Sequence, residues 1–400
     1  MPLNILHAIR SVDPAGGGPI EGLKQMALVN CARGHQVEVV SLDSPAAKWA
    51  KSFPLPLHAL GTHAGGYGYS AAFMPWLRSN RDRYDAVVVD GIWQYHSFGV
   101  RQALLGGETP YFVYTHGMLD PWFKRTYPLK HLKKWFYWPW ADYRVLRDAA
   151  AVLFTCEEER RLARQSFWLY RCTEQVVNFG TGGPPAGDAE ERRRLFEKRW
   201  PETSGKRCVL HLGRVHVKKA PDLVLNAFAQ LLRGLAPAEA SSFHLIMAGP
   251  ADDDYGREMK ALAASLGLAG NVTWTGMITG DLKWGAYYQA QVFLLPSHQE
   301  NFGIVVAEAL ACGRPVLISD KINIWREIDA DGAGFVEPDD LPGTLRLLHR
   351  WQGLSPGERT AMEERAISCF RQRFHIDRSA QSFIEALERH GAKPRTRGAT

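Results

Sequence analysis

The sequence predicts an α/β protein made of two doubly wound, parallel-sheet domains that face each other across a cleft. Three observations carry this expectation. At 400 residues the chain exceeds one ordinary hydrophobic core, so about two domains of roughly 150–200 residues are expected. Short apolar runs alternate with helical patterns in two successive series, as strands joined by crossover helices do. Between the series, Gly182, Gly183, Pro184, Pro185 and Gly187 break any regular element. The expected division is 1–183, then 184–372, then a segment 373–400 whose helix packs back on the first domain before a loose tail.

In the first series the expected strands are Leu3–Ile9, Val37–Leu42, Ala86–Val89, Tyr111–Tyr114, Ala151–Phe154 and Gln175–Val177. The first helix runs from about Ile20 to Arg33 and stops at Gly34, a natural C-terminal cap. The second series supplies Cys208–Leu212, Leu245–Ala248, Val272–Trp274, Val292–Leu295 and Val316–Ile318, with helices beginning near Pro221, Tyr255, Asp281 and Phe302. Helical patterns over Leu341–Trp351, Pro356–Phe370 and Ile376–His390 complete the chain, and the residues after Gly391 read as loose.

No apolar run approaches the ~20 residues that span a bilayer. The N-terminus enters a strand directly, without a basic leader segment, so the expected location is the cytoplasm. The six cysteines (Cys31, Cys156, Cys172, Cys208, Cys312, Cys369) form no CxxC pair and no zinc spacing, and read as reduced, packed thiols. Charge is uneven. Between Trp122 and Arg147, seven basic residues (Lys124, Arg125, Lys130, Lys133, Lys134, Arg144, Arg147) stand against Asp142 alone; that +6 equals the formal charge of the whole chain. Nine aromatic residues are interleaved with them.

The stretch Glu300–Gly313 concentrates the chemistry. It lies between two apolar runs and reads as loop and buried helix, with Glu308 a carboxylate inside an otherwise apolar helix, where it needs a partner. Glu300 stands just ahead of the helix, where Phe302, Gly303 and Ile304 would turn backbone amides toward an anion. Gly16, Gly17 and Gly18 follow the first strand, where a backbone can approach a phosphate. The sixth position counted from Gly16 is Glu21, so the dinucleotide fingerprint is absent, and a ligand-free turn is the competing reading. Arg214 and Lys219 follow the first strand of the second series and suit a diphosphate clamp, against the reading of solvated surface charges. His116, at the end of a strand and followed by Gly117, is weighed as a functional residue against a packed histidine. Asp252, Asp253 and Asp254 resemble a metal loop but are better read as a helix cap, and no metal site is assigned.

Glu300 and Glu308 with seven residues between them, the Glu-Asn-Phe-Gly core and the trailing Ala-Cys-Gly-Arg-Pro resemble the E-x7-E signature of family 4 of the retaining glycosyltransferases, whose fold is GT-B. Gly213-Arg214 with Lys219 and Asp222, Gly249-Pro250, Val272–Gly276, Leu295-Pro296-Ser297 and Gly16–Gly18 match collinearly, over nearly the whole chain. The resemblance implies transfer of a sugar from a nucleoside diphosphate donor to a saccharide or lipid-linked saccharide in surface polysaccharide or glycolipid synthesis, with neither cofactor nor metal. It implies that Glu300 sits beside the donor sugar. Phe302, Gly303 and Ile304 would hold sugar and phosphate, and Glu308 would bind the ribose. Arg214 and Lys219 would neutralise the leaving diphosphate, and Met277 would line the base pocket. His116 would touch the donor sugar, and Gly17 and Gly18 would approach the phosphates. Retention would follow from same-face attack, so no protein nucleophile is named.

One segment departs from the pattern: many members carry a glycine pair where this chain has Asp320-Lys321-Ile322-Asn323-Ile324-Trp325-Arg326-Glu327. The aromatic and basic stretch 122–147 is read as a helix and weighed as a contact with an anionic membrane surface against packing of its aromatics on the sheet. Two further functions stay open: a sugar-nucleotide epimerase of the same fold, and an inactive nucleotide-sugar-binding scaffold. A nucleic-acid partner is not expected, because the basic excess is confined to one segment without a recognition motif.

Overall fold

The apolar runs become two parallel sheets in the computed structural model, which describes residues 1–61 and 66–395. The chain divides into two units, Met1–Gly180 with Ile376–Thr400, and Thr181–His375.

The first unit holds a seven-stranded sheet: β1 (Asn4–Ile9), β2 (Gln36–Ser41), β3 (Leu57–Ala59), β4 (Ala86–Asp90), β5 (Tyr111–Tyr114), β6 (Ala151–Phe154) and β7 (Glu174–Val176). Their order is β3-β2-β1-β4-β5-β6-β7. Ile5 of β1 aligns with Val37 on one side and Ala86 on the other. Continuous rather than alternating apolar runs are what a sheet covered on both faces requires. One face buries Leu6, Val87, Val113 and Val152. The other buries Ile5, Val88, Phe112 and Leu153, and includes Ala380, Phe383 and Leu387 of the final helix, Ile376–Arg389. That helix therefore belongs to the core of the first unit.

The second unit repeats the plan with β8 (Arg207–Leu212), β9 (Phe243–Ala248), β10 (Val272–Gly276), β11 (Ala290–Leu295), β12 (Val316–Ser319) and β13 (Gly334–Glu337). The order is β10-β9-β8-β11-β12-β13. In each sheet the order reverses beside the first strand of its series, between β1 and β4 and between β8 and β11. Doubly wound sheets bind ligands outside the carboxyl ends of the strands at that switch point.

The structure differs from the sequence expectations in four places. Strands β3 and β13 were not expected: both are edge strands of three and four residues, and His58 in one and Gly334 and Glu337 in the other interrupt the continuous apolar run by which most of the others were read. The stretch 122–147 is not one helix but three, Trp122–Thr126, Pro128–Tyr137 and Asp142–Asp148, the second opening on Pro128 and ending just before Pro139. The helix expected from Phe302 begins at Ile304. The chain after Gly391 is tied down rather than loose as far as Arg395: Ala392 is buried, and Arg395 donates its backbone N–H to Asp85 Oδ1 at 3.0 Å. Residues 396–400 of that expected tail lie outside the described residues.

Candidate active site

The Ile304–Ala311 helix buries Val306, Ala307, Ala309 and Leu310 completely. Gly303 caps its start at φ 72°, ψ 62°, a left-handed conformation that costs a non-glycine residue energy. A Cβ there would also come within 3.2 Å of Glu300 Cγ and 3.3 Å of Val306 Cγ2. Val306 turns its amide back to the Gly303 carbonyl at 2.8 Å. The amides of Ile304 and Val305 precede any intrahelical acceptor and point out of the helix start. Phe302 is buried, its ring 5.7 Å from that of Phe374.

Glu308 is 5% exposed and has two partners, both on the Gly280–Gln289 helix. Lys283 Nζ donates to Oε1 at 2.7 Å, and Tyr287 Oη lies 3.0 Å from Oε2. Four residues apart, Lys283 and Tyr287 share one helix face. Burial and the Glu308 charge hold the Tyr287 phenol well above its usual pKa. A carboxylate offers about four lone-pair positions, so two remain for hydroxyl donors.

Glu300 forms an ion pair with Lys219. The two residues come from the loops after β11 and β8, neighbouring strands at the switch point. Burial, then the like charges of Lys218 and Arg214, push the Lys219 ammonium below its ordinary pKa; the Glu300 carboxylate opposes both. The loops are also joined through backbone, His298 N–H donating to the Lys218 carbonyl at 2.8 Å. His298 Nδ1 lies 2.8 Å from Asp339 Oδ2, whose hydrogen bond raises the imidazole pKa.

Arg214 is exposed on the same loop and, among the described residues, pairs with no carboxylate. Its loop packs tightly on the next. A Cβ on Gly249 would lie 1.9 Å from the Gly213 carbonyl oxygen, and Gly249 N–H bonds to the Gly276 carbonyl at 2.9 Å. Three glycine turns thus gather the ends of β8, β9 and β10, with exposed Met277 directly after the last.

Segment 320–323, where a glycine pair was the family pattern, has a structural task. Glu300 N–H donates to the Lys321 carbonyl at 3.0 Å and Asn323 N–H to the Glu300 carbonyl at 3.1 Å. Ile322 between them is fully buried. The segment fixes the backbone of Glu300 from below.

In the first unit, His116 lies just past β5 with φ 46°. Its Nε2 is 3.1 Å from Asp90 Oδ1, and its ring stacks on Tyr114 at 5.3 Å. Asp90, at the end of β4, also meets His7 Nδ1 at 2.8 Å through Oδ2. Burial alone would raise the Asp90 pKa, but His7 and His116 outweigh it and bring it down to about 2. Buried Glu159 holds the turn on both sides of His116: Oε1 accepts from Thr115 Oγ1 at 2.7 Å and from Gly117 N–H at 2.6 Å. Those bonds stabilise a left-handed residue that would otherwise cost energy. Gly17 caps the Gly18–Ala32 helix at φ 77°, and a Cβ on Gly17 or Gly18 would meet nothing within 4 Å.

Sequence reasoning named Glu300, Glu308, Arg214, Lys219 and His116 but missed their partners Lys283, Tyr287, Asp90, His7 and Glu159. Asp90 had a signal, since three valines end in an acid followed by Gly91 at a strand terminus. Glu159 had none, being one of three consecutive glutamates. Asp253 caps its helix as expected, accepting from Gly256 N–H at 2.8 Å. Among the described residues no three His, Cys, Asp or Glu side chains stand together as a metal site would require.

Comparison with known proteins places two family models on the chain in order. Residues 17–177 match "Glycosyl transferase 4-like domain" and residues 192–366 match "Glycosyl transferases group 1". A D-inositol 3-phosphate glycosyltransferase from Acidothermus cellulolyticus is 29% identical over 195 residues, 47% of this chain and 42% of that protein. The enzyme of the same name from Salinispora tropica is 29% identical over 228 residues, 56% of this chain and 47% of that protein. The matched stretches thus span less than half the length of these relatives. Among solved structures, sucrose-phosphate synthase from Thermosynechococcus elongatus superposes with a TM-score of 0.73 at 18% identity, covering 96% of this chain and 98% of that one. Anabaena HepE, solved in complex with UDP and glucose, gives 0.74 at 18% identity, covering 96% and 99%. These likenesses show the fold, which is GT-B: two Rossmann-like α/β domains, each with a parallel sheet.

Proposed function

The chain belongs to family 4 of the glycosyltransferases, and from that premise we propose that it moves a hexose-type sugar from a nucleoside diphosphate donor to a saccharide or lipid-linked saccharide, with retention and without a metal. The observation that carries this reading is the meeting of Lys219 and Glu300 across the switch point of the second sheet, ahead of an eight-residue buried helix and beside Arg214, which pairs with no carboxylate among the described residues. Breaking the bond from the anomeric carbon to the diphosphate is the difficult step, and stabilising charge on the departing phosphate is the largest contribution available. Arg214, Lys219 and the amides of Ile304 and Val305 are assigned that role. Glu300 is assigned to the sugar and Glu308 to the ribose. Met277 is placed by the base, while His116, Gly17 and Gly18 form the first unit's own contribution to sugar and phosphate recognition. The acceptor proton goes to the leaving phosphate on the same face.

HepE has been solved with UDP-glucose, which makes uridine donors the first to try. A thermal-shift screen over UDP, GDP and ADP sugars identifies the donor, because a ligand bound only by the native state raises the melting temperature. With that donor and a saccharide acceptor, free nucleoside diphosphate and an enlarged acceptor are expected by mass spectrometry. Arg214→Ala lowers turnover by roughly 10²–10³-fold. A donor of unchanged mass after conversion would point to an epimerase, and absence of any nucleoside diphosphate binding to a scaffold. Full activity in Arg214→Ala would overturn the site.

A further inference from the structure

The Pro128–Tyr137 helix has two apolar faces, and only one of them is used. His131, Trp135 and Trp138 share the inward face. Trp138 is fully buried, and the His131 and Trp138 rings stack on Phe167 at 4.6 and 4.2 Å. Lys134 joins this side rather than the solvent, its ammonium 4.3 Å from the Trp93 ring. On the opposite side, at helical spacing, stand Leu129, Leu132 and Phe136, followed by Trp140 just past the helix end. They are 81%, 55%, 76% and 50% exposed. Trp168, 76% exposed, is a separate exposed ring at the edge of the inward face, stacked on Trp135 at 6.0 Å. Surface apolar residues are normally scattered singly, so a contiguous ridge of this size marks a contact surface.

The charges around the ridge choose its occupant. Lys124, Arg125, Lys130, Lys133 and Arg144 are all exposed. The one acid between Trp122 and Arg147, Asp142, is fully buried and holds bonds inward with Trp93 N–H and Ser97 Oγ. An exposed apolar and aromatic face flanked on the chain by cations, with no exposed acid in the stretch, complements a lipid surface carrying anionic headgroups. A protein partner of balanced charge would leave these cations uncompensated.

We propose that this helix lies in the interface of an anionic bilayer, with Leu129, Leu132, Phe136 and Trp140 among the acyl chains and Lys130 and Lys133 at the headgroups. The docking face does not depend on the donor-site reading and stands or falls separately from it.

The test is flotation of the full chain with vesicles of phosphatidylcholine alone and with roughly thirty per cent phosphatidylglycerol. Binding to the anionic vesicles is expected to exceed binding to the neutral ones at least tenfold and to fall as salt screens the headgroups. Lys130→Gln with Lys133→Gln, and separately Leu132→Ser with Phe136→Ser, each lower it about tenfold or more. All four side chains are exposed, so the fold is retained, which circular dichroism checks; should the serine pair fail to fold, the glutamine pair decides. Variants that float like the parent overturn the proposal. So does a chain that ignores vesicles yet forms a concentration-dependent dimer abolished by Leu132→Ser with Phe136→Ser, an outcome that gives the ridge to a second copy.

Discussion

Glu300 and Glu308 carry the same functional group in different surroundings, and the proposed division of their roles rests on that difference. Glu308 is buried among apolar residues, but Lys283 and Tyr287 compensate its charge while leaving acceptor positions open. Glu300 is less buried and shares its charge with Lys219 on a backbone pinned from below. Glu308→Gln is therefore expected to weaken nucleoside diphosphate binding about tenfold by calorimetry, the value of one charge-assisted hydrogen bond. Glu300→Gln should lower turnover by roughly a hundredfold with affinity little changed; equal effects on both measures would mean the roles are divided wrongly. Asp90 makes a pH prediction. Its folded pKa of about 2 lies below the ordinary 3.8, so its stabilisation is complete above about pH 4 and lost as pH falls toward 2. Asp90→Asn should cost about 2 kcal/mol in urea unfolding at pH 6, with the cost shrinking by pH 2.5. A pH-independent cost would remove His7 and His116 as its cause.

At the scale of the element, the start of the Ile304–Ala311 helix and the helices of 122–147 show what local sequence leaves open. Gly303→Ala forces a left-handed alanine and crowds Glu300. Destabilisation of about 1–3 kcal/mol and a loss of turnover are expected together, measured by thermal unfolding and initial rates. Asp142, at the start of its helix, is pushed up to about 7, first by burial, with bonds from Trp93 and Ser97 and the charge of Lys134 opposing. Its folded pKa lies above the ordinary 3.8, so the ionised carboxylate costs stability increasingly as pH rises from about 4 to 7. Asn keeps the acceptor that Trp93 and Ser97 use and loses the charge. Asp142→Asn should thus raise the melting temperature at pH 8 and leave it nearly unchanged at pH 4. The motif Glu300 to Glu308 was legible because both carboxylates lie in one short loop-and-helix segment, so their spacing is fixed along the chain. That Lys283 faces Glu308 was not, since the meeting of two helices is set by packing of the whole unit.

For the whole molecule, the chain crosses from one unit to the other and returns. The Ile376–Arg389 helix puts Ile376, Ala380, Phe383 and Leu387 into the first unit's core beside Ile5, Val88 and Tyr114. Burying three side chains of the Ile, Phe and Leu type is worth about 5–8 kcal/mol, comparable with the net stability of a domain. A chain ending at His375 should lose amide protection along β1, β4 and β5 in hydrogen exchange while β8 to β12 keep theirs; protection retained in the first sheet would show that the helix is dispensable. The alternation of apolar runs with helical patterns, a property of neighbours along the chain, determined by itself that there are two parallel sheets and where each series starts. Tertiary structure alone decided which charges meet, because Lys219 with Glu300, Lys283 with Glu308 and His7 and His116 with Asp90 are joined by strand order and helix packing over separations that no local pattern encodes. It also decided which face of Pro128–Tyr137 stays bare: both faces are apolar in sequence, and only the packing against Phe167 and Trp93, distant in the chain, chooses one to bury.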